Sequence, residues 1–430
     1  TYTIMNTHYR IVLACCWVFM IVYSIIPVCA QRNMIFDSQI KTLRIVGGET
    51  GPGLPILSLG SNEQLTISFD EMSHNYKRYE YRIQHLDYVF KPESDLLEND
   101  FVNSDADYIL IEDYRESRNT VVNYTHYSFS FPNKHIQPLI AGNYALSIYA
   151  NDGAGEHQEV ARVYFAIVTP QVNIGTSVST NTDIDWNASH QQVGLKVNLN
   201  GLIVRDATEE IKTFVLQNGR WDNAVLCPKP SYINGQQLIW DHARDLIFPA
   251  GNEYRAFEML SSRYPGMGIE KMQYFAPFYH ATLFTDYPNK NYLYVQDTNG
   301  KSVIRNDDNT AAETESEYIL THFSLAIPAI EDAQIYLQGD WTYDQFLPDY
   351  ELTYNASTQL YECAVLLKTG YYSYQYLVVP NNMTKGQTGP IEGNFFQTDN
   401  AYTTLVYYKR TGDRYWQLVG TNQYRFKTIR

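Results

Sequence analysis

The sequence lacks the motifs of common enzyme classes and has few cysteines and few basic residues. The patterns G-x-S-x-G, H-E-x-x-H, C-x-x-C and the P-loop do not occur in it. Its 32 basic residues are outnumbered by 47 acidic ones, which leaves a formal net charge of −15. This charge argues against nucleic acid or an anionic membrane surface as a partner. The sequence therefore shows no visible active site, and we expect no metal or cofactor; a hydrolase whose catalytic residues are dispersed along the chain stays open as an alternative.

A long uncharged and mainly apolar run lies near the start of the sequence. It extends from Ile11 to Ala30, follows Arg10, and is broken by Pro27. This order is typical of an export signal, although twenty apolar residues are also enough to span a membrane. A lipoprotein signal at Cys29 fits less well, because Pro27 stands close before it. We expect residues 1–30 to be a cleaved signal peptide and the mature chain to have no direct lipid anchor.

Removal of residues 1–30 would leave two cysteines, Cys227 and Cys363, which are 136 positions apart. Secreted domains that depend on disulfides carry more cysteines than this. We expect two separate buried thiols, and the alternative of one disulfide between them stays open.

Apolar residues alternate with a period of two along most of the chain, which is typical of β-strands. Clear strands are predicted at 64–70, 78–86, 143–150 and 160–168, between clusters of Gly, Pro, Asn and Asp. No amphipathic helix of twelve or more residues stands out. The sequence therefore predicts an all-β protein.

Prolines at two positions divide the predicted strands into three blocks. Thr169-Pro170 and Pro328 mark the boundaries. We predict three immunoglobulin-like or early-set β-sandwich domains in tandem: an N-terminal sandwich at 31–168, a middle β domain with long loops at 169–327, and an early-set-like sandwich at 328–430. Because long ordered loops are often functional surfaces, the Tyr-rich loops 223–236 and 261–277 are candidate contact surfaces.

The third block also carries a hypothesis of glycan binding. Its segments 336–341 and 370–376 resemble the G-D-W turn and the G-x-Y-x-Y strand of early-set glycan-binding modules. Trp341 and Tyr343 would supply aromatic platforms for a sugar ring, and Asn394 an amide. The alternative is that these aromatic residues build the sandwich itself.

A histidine stands close to an acidic residue at two places in the sequence: His85 two positions before Asp87, and His242 directly after Asp241. A catalytic dyad needs an oriented imidazole in a cleft, which adjacency in the sequence does not provide. His85 continues a strand face that carries Tyr81 and Ile83, so we expect a packed histidine there. The acidic stretch 305–317 lacks the spacing of an EF-hand calcium loop, so we predict no metal site in it.

The segment 248–259, FPAGNEYRAFEM, is the most informative motif of the chain. Further motifs occur in a fixed order along the sequence: alternating aromatics leading to His85 and then Pro92-Glu93-Ser94, Tyr124 to Tyr127, Phe131-Pro132-Asn133, Gly142-Asn143-Tyr144, 217–223, 392–395 and 398–400. Together they resemble the periplasmic plug proteins of the type IX secretion system of Bacteroidetes. Leu86 and Phe90 depart from that pattern, which has Cys and Trp there.

The resemblance implies a function by occlusion rather than by catalysis. It implies a monomeric periplasmic protein that closes the periplasmic opening of the outer-membrane type IX translocon barrel while no cargo occupies it. Within the motif, Glu253 and Arg255 are expected to form an internal ion pair. The alternative function is that of a secreted carbohydrate-binding β-sandwich protein that uses its C-terminal domain.

Overall fold

The computed structural model describes residues 32–47, 55–93, 95–151, 153, 155–308 and 310–428. Strands make up 49% of the chain and helices 5%, which confirms the predicted all-β class. The predicted signal peptide lies outside the described residues.

The first part of the chain forms a two-layered β-structure. One layer is the sheet β2-β4-β9-β8, and the other contains β5, β11 and β12. The alternation expected for half-buried strands is clear in β5, where Tyr81 and Ile83 are buried and Arg82 and Gln84 are exposed. The elements are β1 Met34–Ile35, β2 Ile40–Gly47, β3 Ile56–Ser58, β4 Leu65–Glu71, β5 Tyr79–Leu86, α1 Glu98–Phe101, β6 Val102–Ser104, β7 Ile109–Leu110, β8 Asp113–Glu116, β9 Thr125–Phe131, β10 Ile136–Pro138, β11 Gly142–Asn151 and β12 His157–Val168.

The second part combines the middle of the chain with its end. The sheet β13-β14-β18-β17 packs against β15, β29 and β30, and their apolar side chains share one core. The elements are β13 Asn173–Ser179, β14 His190–Asn198, α2 Ala207–Glu210, β15 Ile211–Gln217, β16 Val225–Leu226, β17 Tyr232–Asn234, β18 Gln237–Trp240, β19 Ile247–Pro249, and, after the third part, β29 Asn400–Tyr408 and β30 Gln417–Phe426.

The third part is a sheet of order β20-β28-β25-β26-β27-β24-β22-β21, with β23 paired to β28. Its strands share one core of aromatic and aliphatic side chains. The elements are β20 Arg255–Met259, β21 Ile269–Phe275, β22 Phe278–Leu283, β23 Ser302–Ile304, α3 Ala312–Glu315, β24 Tyr318–Leu325, β25 Ala333–Gln338, β26 Glu351–Asn355, β27 Leu360–Lys368 and β28 Gly370–Pro380, with single 3-10 turns at Arg244–Leu246, Asp340–Thr342 and Pro348–Tyr350.

The number of sandwich domains and their boundaries at 168 and 327 stay predictions. The core of the third part unites Phe257 and Phe323 with Trp341 and Tyr374, which stand on the two sides of Pro328. The core of the second part unites residues from 172–248 with residues from 402–426. We propose that the chain divides into 32–168, 170–250 with 400–426, and 255–391.

The three parts are joined by buried contacts. The first two share a sheet, in which Val168 of β12 lies beside Leu418 of β30, and a small apolar core that includes Phe90 and Trp221. The first and third are joined by an ion pair, in which the Lys368 ammonium lies 2.7 Å from the Asp70 carboxylate and both side chains are almost fully buried.

Two further side chains complete the surroundings of Asp70. Its carboxylate accepts a hydrogen bond from the Tyr318 hydroxyl at 2.6 Å and lies 2.7 Å from Nδ1 of His126. Burial alone would raise the pKa of Asp70, but the Lys368 ammonium and the His126 contact hold it below its ordinary value. The carboxylate therefore stays ionised, and it binds the first part of the chain to the third.

Candidate docking surface

Residues 264–295 have an unusual composition for this acidic chain. Nine of these 32 residues are aromatic, and the four charged ones, Glu270, Lys271, Asp286 and Lys290, cancel. Aromatic side chains with few charges are typical of the centres of protein interfaces. The segment contains β21, β22 and the loop that follows them.

Many of the large apolar side chains of this segment are exposed. Nine of them have between 41% and 75% of their surface open to solvent: Tyr264, Met267, Tyr274, Phe275, Phe284, Tyr287, Leu293, Tyr294 and Val295. Exposed apolar residues that occur singly are ordinary, but a concentration of them marks an interaction surface. We call this segment, 264–295, the aromatic segment.

Strands β21 and β22 form a hairpin whose tip carries two of these aromatic residues. Phe275 is opposite Phe278 across the turn Ala276-Pro277, and the rings of Tyr274 and Tyr279 lie 4.9 Å apart. At the base of the hairpin, the backbone N–H of Glu258 on β20 donates to the carbonyl of Met267. Among the described residues, β21 pairs only with β22 and is an outer strand of its sheet. At the tip, Tyr274 is 51% and Phe275 56% exposed, so the tip is available for contact.

Arg255 of the motif 248–259 holds the loop that follows β22. Its guanidinium lies 2.7 Å from Asp286 and 3.0 Å from Glu392, and it donates to the carbonyl of Tyr287 at 2.8 Å. The second oxygen of Asp286 accepts hydrogen bonds from the hydroxyls of Tyr374 and Tyr376. Five contacts thus fix the place where the loop leaves the sheet. The expected pair of Arg255 with Glu253 is wrong, because Arg255 reaches two carboxylates that are distant in sequence.

Glu253 has a different role at the other end of the same loop. Its carboxylate accepts hydrogen bonds from the Tyr292 hydroxyl at 2.7 Å and from the backbone of Asp399 at 3.1 Å. Burial raises the pKa of Glu253 to about 7. The adjacent backbone N–H of Tyr254 donates to Asp297, whose pKa burial raises to about 6. The motif residues 253–255 therefore anchor both ends of the exposed loop.

The glycan site proposed from sequence stays a prediction. Trp341 is buried in the core of the third part, and its indole N–H donates to the carbonyl of Ser373. Trp341 and Tyr343 line one cavity, whereas Asn394 lies outside it and accepts hydrogen bonds from the Gly251 backbone and Thr388. The structure thus brings two of the three residues together.

The two loops predicted as contact surfaces are largely exposed. Residues 231–237 are exposed throughout and include Tyr232 and Ile233 on β17. The prediction of a loop at 261–277 is wrong, because this stretch contains β21 Ile269–Phe275; from residue 264 onward it forms the first half of the aromatic segment. The sequence analysis missed the second half, 284–295, although its composition of Phe, Tyr, Leu and Val was a usable signal.

The remaining candidates from the sequence are two histidines, His85 and His242, and the two cysteines. His85 is 1% exposed and packs edge-on against the rings of Tyr144 and Tyr415, as expected of a packed histidine. His242 lies on the surface beside Asp183, at 2.8 Å. Cys227 and Cys363 are free thiols, which confirms the prediction that they are separate, but both are half-buried and not buried as expected.

No group of three or more His, Cys, Asp or Glu side chains in the described part of the chain is arranged to hold a metal ion. No helix of the described residues is long and apolar enough to cross a membrane.

Comparison with known proteins identifies the family. The model of the type IX secretion system plug protein first domain matches residues 40–169. A crystal structure of a hypothetical protein from Parabacteroides merdae ATCC 43184 is 38% identical in sequence and has a TM-score of 0.88, over 92% of this chain and 100% of that one. The chain belongs to the type IX secretion system plug protein family. No curated protein matches it.

Membership of the plug family indicates a role in type IX secretion and a location in the periplasm or envelope. It also indicates a non-enzymatic role. The family model ends at residue 169, so the aromatic segment of this plug-family protein lies beyond the matched domain, whereas the similarity to the Parabacteroides protein extends over nearly the whole chain.

Proposed function

We propose that this protein is a periplasmic plug that occludes the pore of the outer-membrane type IX translocon barrel in its resting state. The observation that carries this proposal, beyond membership of the family, is the aromatic segment, which exposes nine large apolar side chains on a well-anchored part of the fold. The protein acts by contact and steric occlusion, as a monomer, without chemical turnover.

Occlusion requires a body that does not yield when it is pressed against a pore. The buried pair of Asp70 with Lys368 joins the first and third parts, and the β12–β30 pairing joins the first and second. Removing one partner of a buried ion pair leaves an uncompensated charge, which opposes separation of the parts. The protein is therefore built to be displaced as a whole.

If cargo displaces the plug, the interface between the plug and the barrel must also be able to dissociate. Exposed tyrosines suit this requirement, because the ring packs against a partner while the hydroxyl remains hydrated. An interface of this kind is smaller and more polar than an obligate one. The tip of the β21–β22 hairpin, with Tyr274 and Phe275, is the part of the aromatic segment that we assign to the contact with the barrel.

The test is co-purification of the barrel with the tagged protein from its own cell envelope. We expect the wild-type chain to recover a very large outer-membrane barrel in near-equal amount. The double variant Tyr274→Ser/Phe275→Ser should reduce this recovery at least about tenfold, as is usual for central aromatic contacts. The matched control is Trp186→Ser, which removes an aromatic side chain with 75% of its surface exposed elsewhere on the protein.

Recovery of the wild-type protein alone, with the barrel present and intact in the starting material, would contradict a stable resting plug. Equal loss of the barrel with Trp186→Ser and with the hairpin variant would contradict the assignment of the contact to the hairpin tip.

A further inference from the structure

Two histidines on neighbouring strands contact each other directly. Nδ1 of His280 on β22 lies 2.8 Å from Nε2 of His322 on β24, and the two rings are stacked with their centroids 5.1 Å apart. Both side chains are half-buried. The distance is that of a hydrogen bond, in which one imidazole donates its N–H and the other accepts through a lone pair. We call these two residues the histidine pair.

The histidine pair lies where the β21–β22 hairpin joins its sheet. Strand β22 runs parallel to β24, with Thr282 beside His322, while β21 pairs, among the described residues, with β22 alone. The ring of His280 also packs edge-on against Phe275 at the hairpin tip, with the centroids 5.3 Å apart. The pair therefore connects the exposed tip to β24 through side chains, in addition to the backbone pairing of the strands.

The histidine pair has no carboxylate within 4.0 Å of either ring in the part of the chain that the structure describes. Other histidines differ, because each has an Asp or Glu oxygen within 2.9 Å of a ring nitrogen: His126, His135, His157, His190 and His242. A carboxylate at that distance stabilises a protonated imidazole. The pair instead places in contact two rings that can both become positive.

The charged residues on the strands that flank the pair are few. On β21, an uncharged glutamine is opposite His280, and Lys271 stands two positions away. On β27, an alanine is opposite His322, and Glu362 stands two positions away. The residues two positions from each histidine on β22 and β24 are uncharged. Burial and the charge of His280 hold the pKa of His322 below its ordinary value, and Glu362 offsets only part of this effect.

We propose that the histidine pair is a proton-sensitive contact that holds the β21–β22 hairpin to its sheet at neutral pH and loosens it in acid. Two neutral rings share one N–H, and a single added proton still leaves one lone pair to accept it. A second proton leaves two N–H groups and two positive charges facing each other across 2.8 Å, so the contact breaks.

The direction of the pH dependence follows from His322. Because its pKa is lower in the folded protein than in the unfolded chain, its contribution to stability is fully present above about pH 6.5 and is lost as the pH falls below that value. This is the range of pH in which histidine changes its charge. Any consequence for the contact with the barrel rests on the proposed function, whereas the loosening of the hairpin does not.

The test is amide hydrogen exchange of the purified full chain at pH 7.5 and pH 5, corrected for the intrinsic rate of exchange. We expect the protection of β21 and β22 to fall at least about tenfold at pH 5, because a hydrogen bond is lost and like charges repel. Strands β29 and β30, which contain no histidine, are the internal reference. His322→Gln should remove the difference between the two pH values, because glutamine does not titrate. His280→Gln provides a second variant if His322→Gln does not fold.

The control variant is His135→Gln, which removes a histidine of the first part that contacts Asp105. It should leave the pH dependence of the hairpin unchanged. Equal protection of the hairpin at the two pH values in the folded wild-type chain overturns the proposal. An equal fall in β29 and β30 overturns it as well, as does a pH difference that persists in both His280→Gln and His322→Gln or that His135→Gln also removes.

The failure of the proposed function gives a different result. Loosening of the hairpin at pH 5 together with unchanged recovery of the barrel at that pH supports the proton-sensitive contact. The same result contradicts the assignment of the barrel contact to the hairpin tip.

Discussion

The guanidinium of Arg255 donates to the carboxylate of Asp286 at 2.7 Å, across 31 positions of the chain. This contact links the motif 248–259 to the exposed loop 284–295, because the same guanidinium also holds the carbonyl of Tyr287. The arginine of the motif thus fixes the position of side chains that are exposed to solvent.

Replacement of Arg255 should therefore release the loop. In Arg255→Gln, the carboxylates of Asp286 and Glu392 lose their cation in a largely buried site, and we expect a cost of about 3–5 kcal/mol in the free energy of unfolding. Denaturation by urea measures the cost, and amide hydrogen exchange should become faster at 284–295. The control is Arg305→Gln, whose partner is Glu258 and whose side chain is 42% exposed, with an expected cost below about 1 kcal/mol. Equal costs for the two variants would contradict this role.

Loss of Lys368 should separate the first part of the chain from the third. Lys368→Met leaves the buried Asp70 carboxylate without its cation. We expect the free energy of unfolding, measured by urea denaturation, to fall by about 3–5 kcal/mol. The exposed pair of Arg115 with Asp113 provides the control, because Arg115→Met should cost less than about 1 kcal/mol. The double variant Lys368→Met/Asp70→Leu should recover part of the lost stability. No recovery would show that the uncompensated charge is not the cause.

The free energy of unfolding should depend on pH through Glu253. Its pKa is about 7 in the folded protein against 4.5 ordinarily, so its contribution is fully present below about pH 4.5 and is lost as the pH rises through 7. The loss amounts to roughly 3 kcal/mol at pH 8. Glu253→Gln stays neutral at every pH, so the difference in stability between pH 5 and pH 8 should shrink. Urea denaturation at pH 5 and pH 8 measures this difference in stability. If the difference is the same in Glu253→Gln as in the wild type, Glu253 is not its cause.

Gly142 should tolerate no side chain. It has a φ of +147°, and a Cβ atom there would lie 2.2 Å from Nε2 of the buried His85. Because His85 is enclosed by aromatic rings and has no room to move, we expect Gly142→Ala to cost about 2 kcal/mol or more, as in other overpacked cores. Gly201 has a φ of +89° and open space around it, so Gly201→Ala should cost about 1 kcal/mol through backbone strain alone. Thermal unfolding of the two variants compares a Cβ that collides with His85, in Gly142→Ala, with backbone strain alone, in Gly201→Ala. Similar losses of stability in the two variants would argue against the collision.

Local patterns predicted most of the strands. The strands expected at 64–70 and 78–86 are observed as Leu65–Glu71 and Tyr79–Leu86, and that expected at 143–150 as Gly142–Asn151. The alternation of buried and exposed residues is a property of neighbours in sequence, so it can be recognised without the fold. The grouping of strands is different, since β15 pairs with β29, nearly two hundred positions later. Nothing in either strand specifies that partner.

The candidate site, like the fold, has features that follow from local sequence and features that depend on distant segments. The sequence by itself determined the all-β class, the acidic charge and the family. Only the tertiary structure decided that Arg255 pairs with Asp286 and Glu392 instead of Glu253, and that Lys368 pairs with Asp70 across 298 positions of the chain. The physical reason is range: the strand period depends on adjacent residues, whereas ion pairs and cavities depend on which distant segments the packing of the cores brings within a few ångströms.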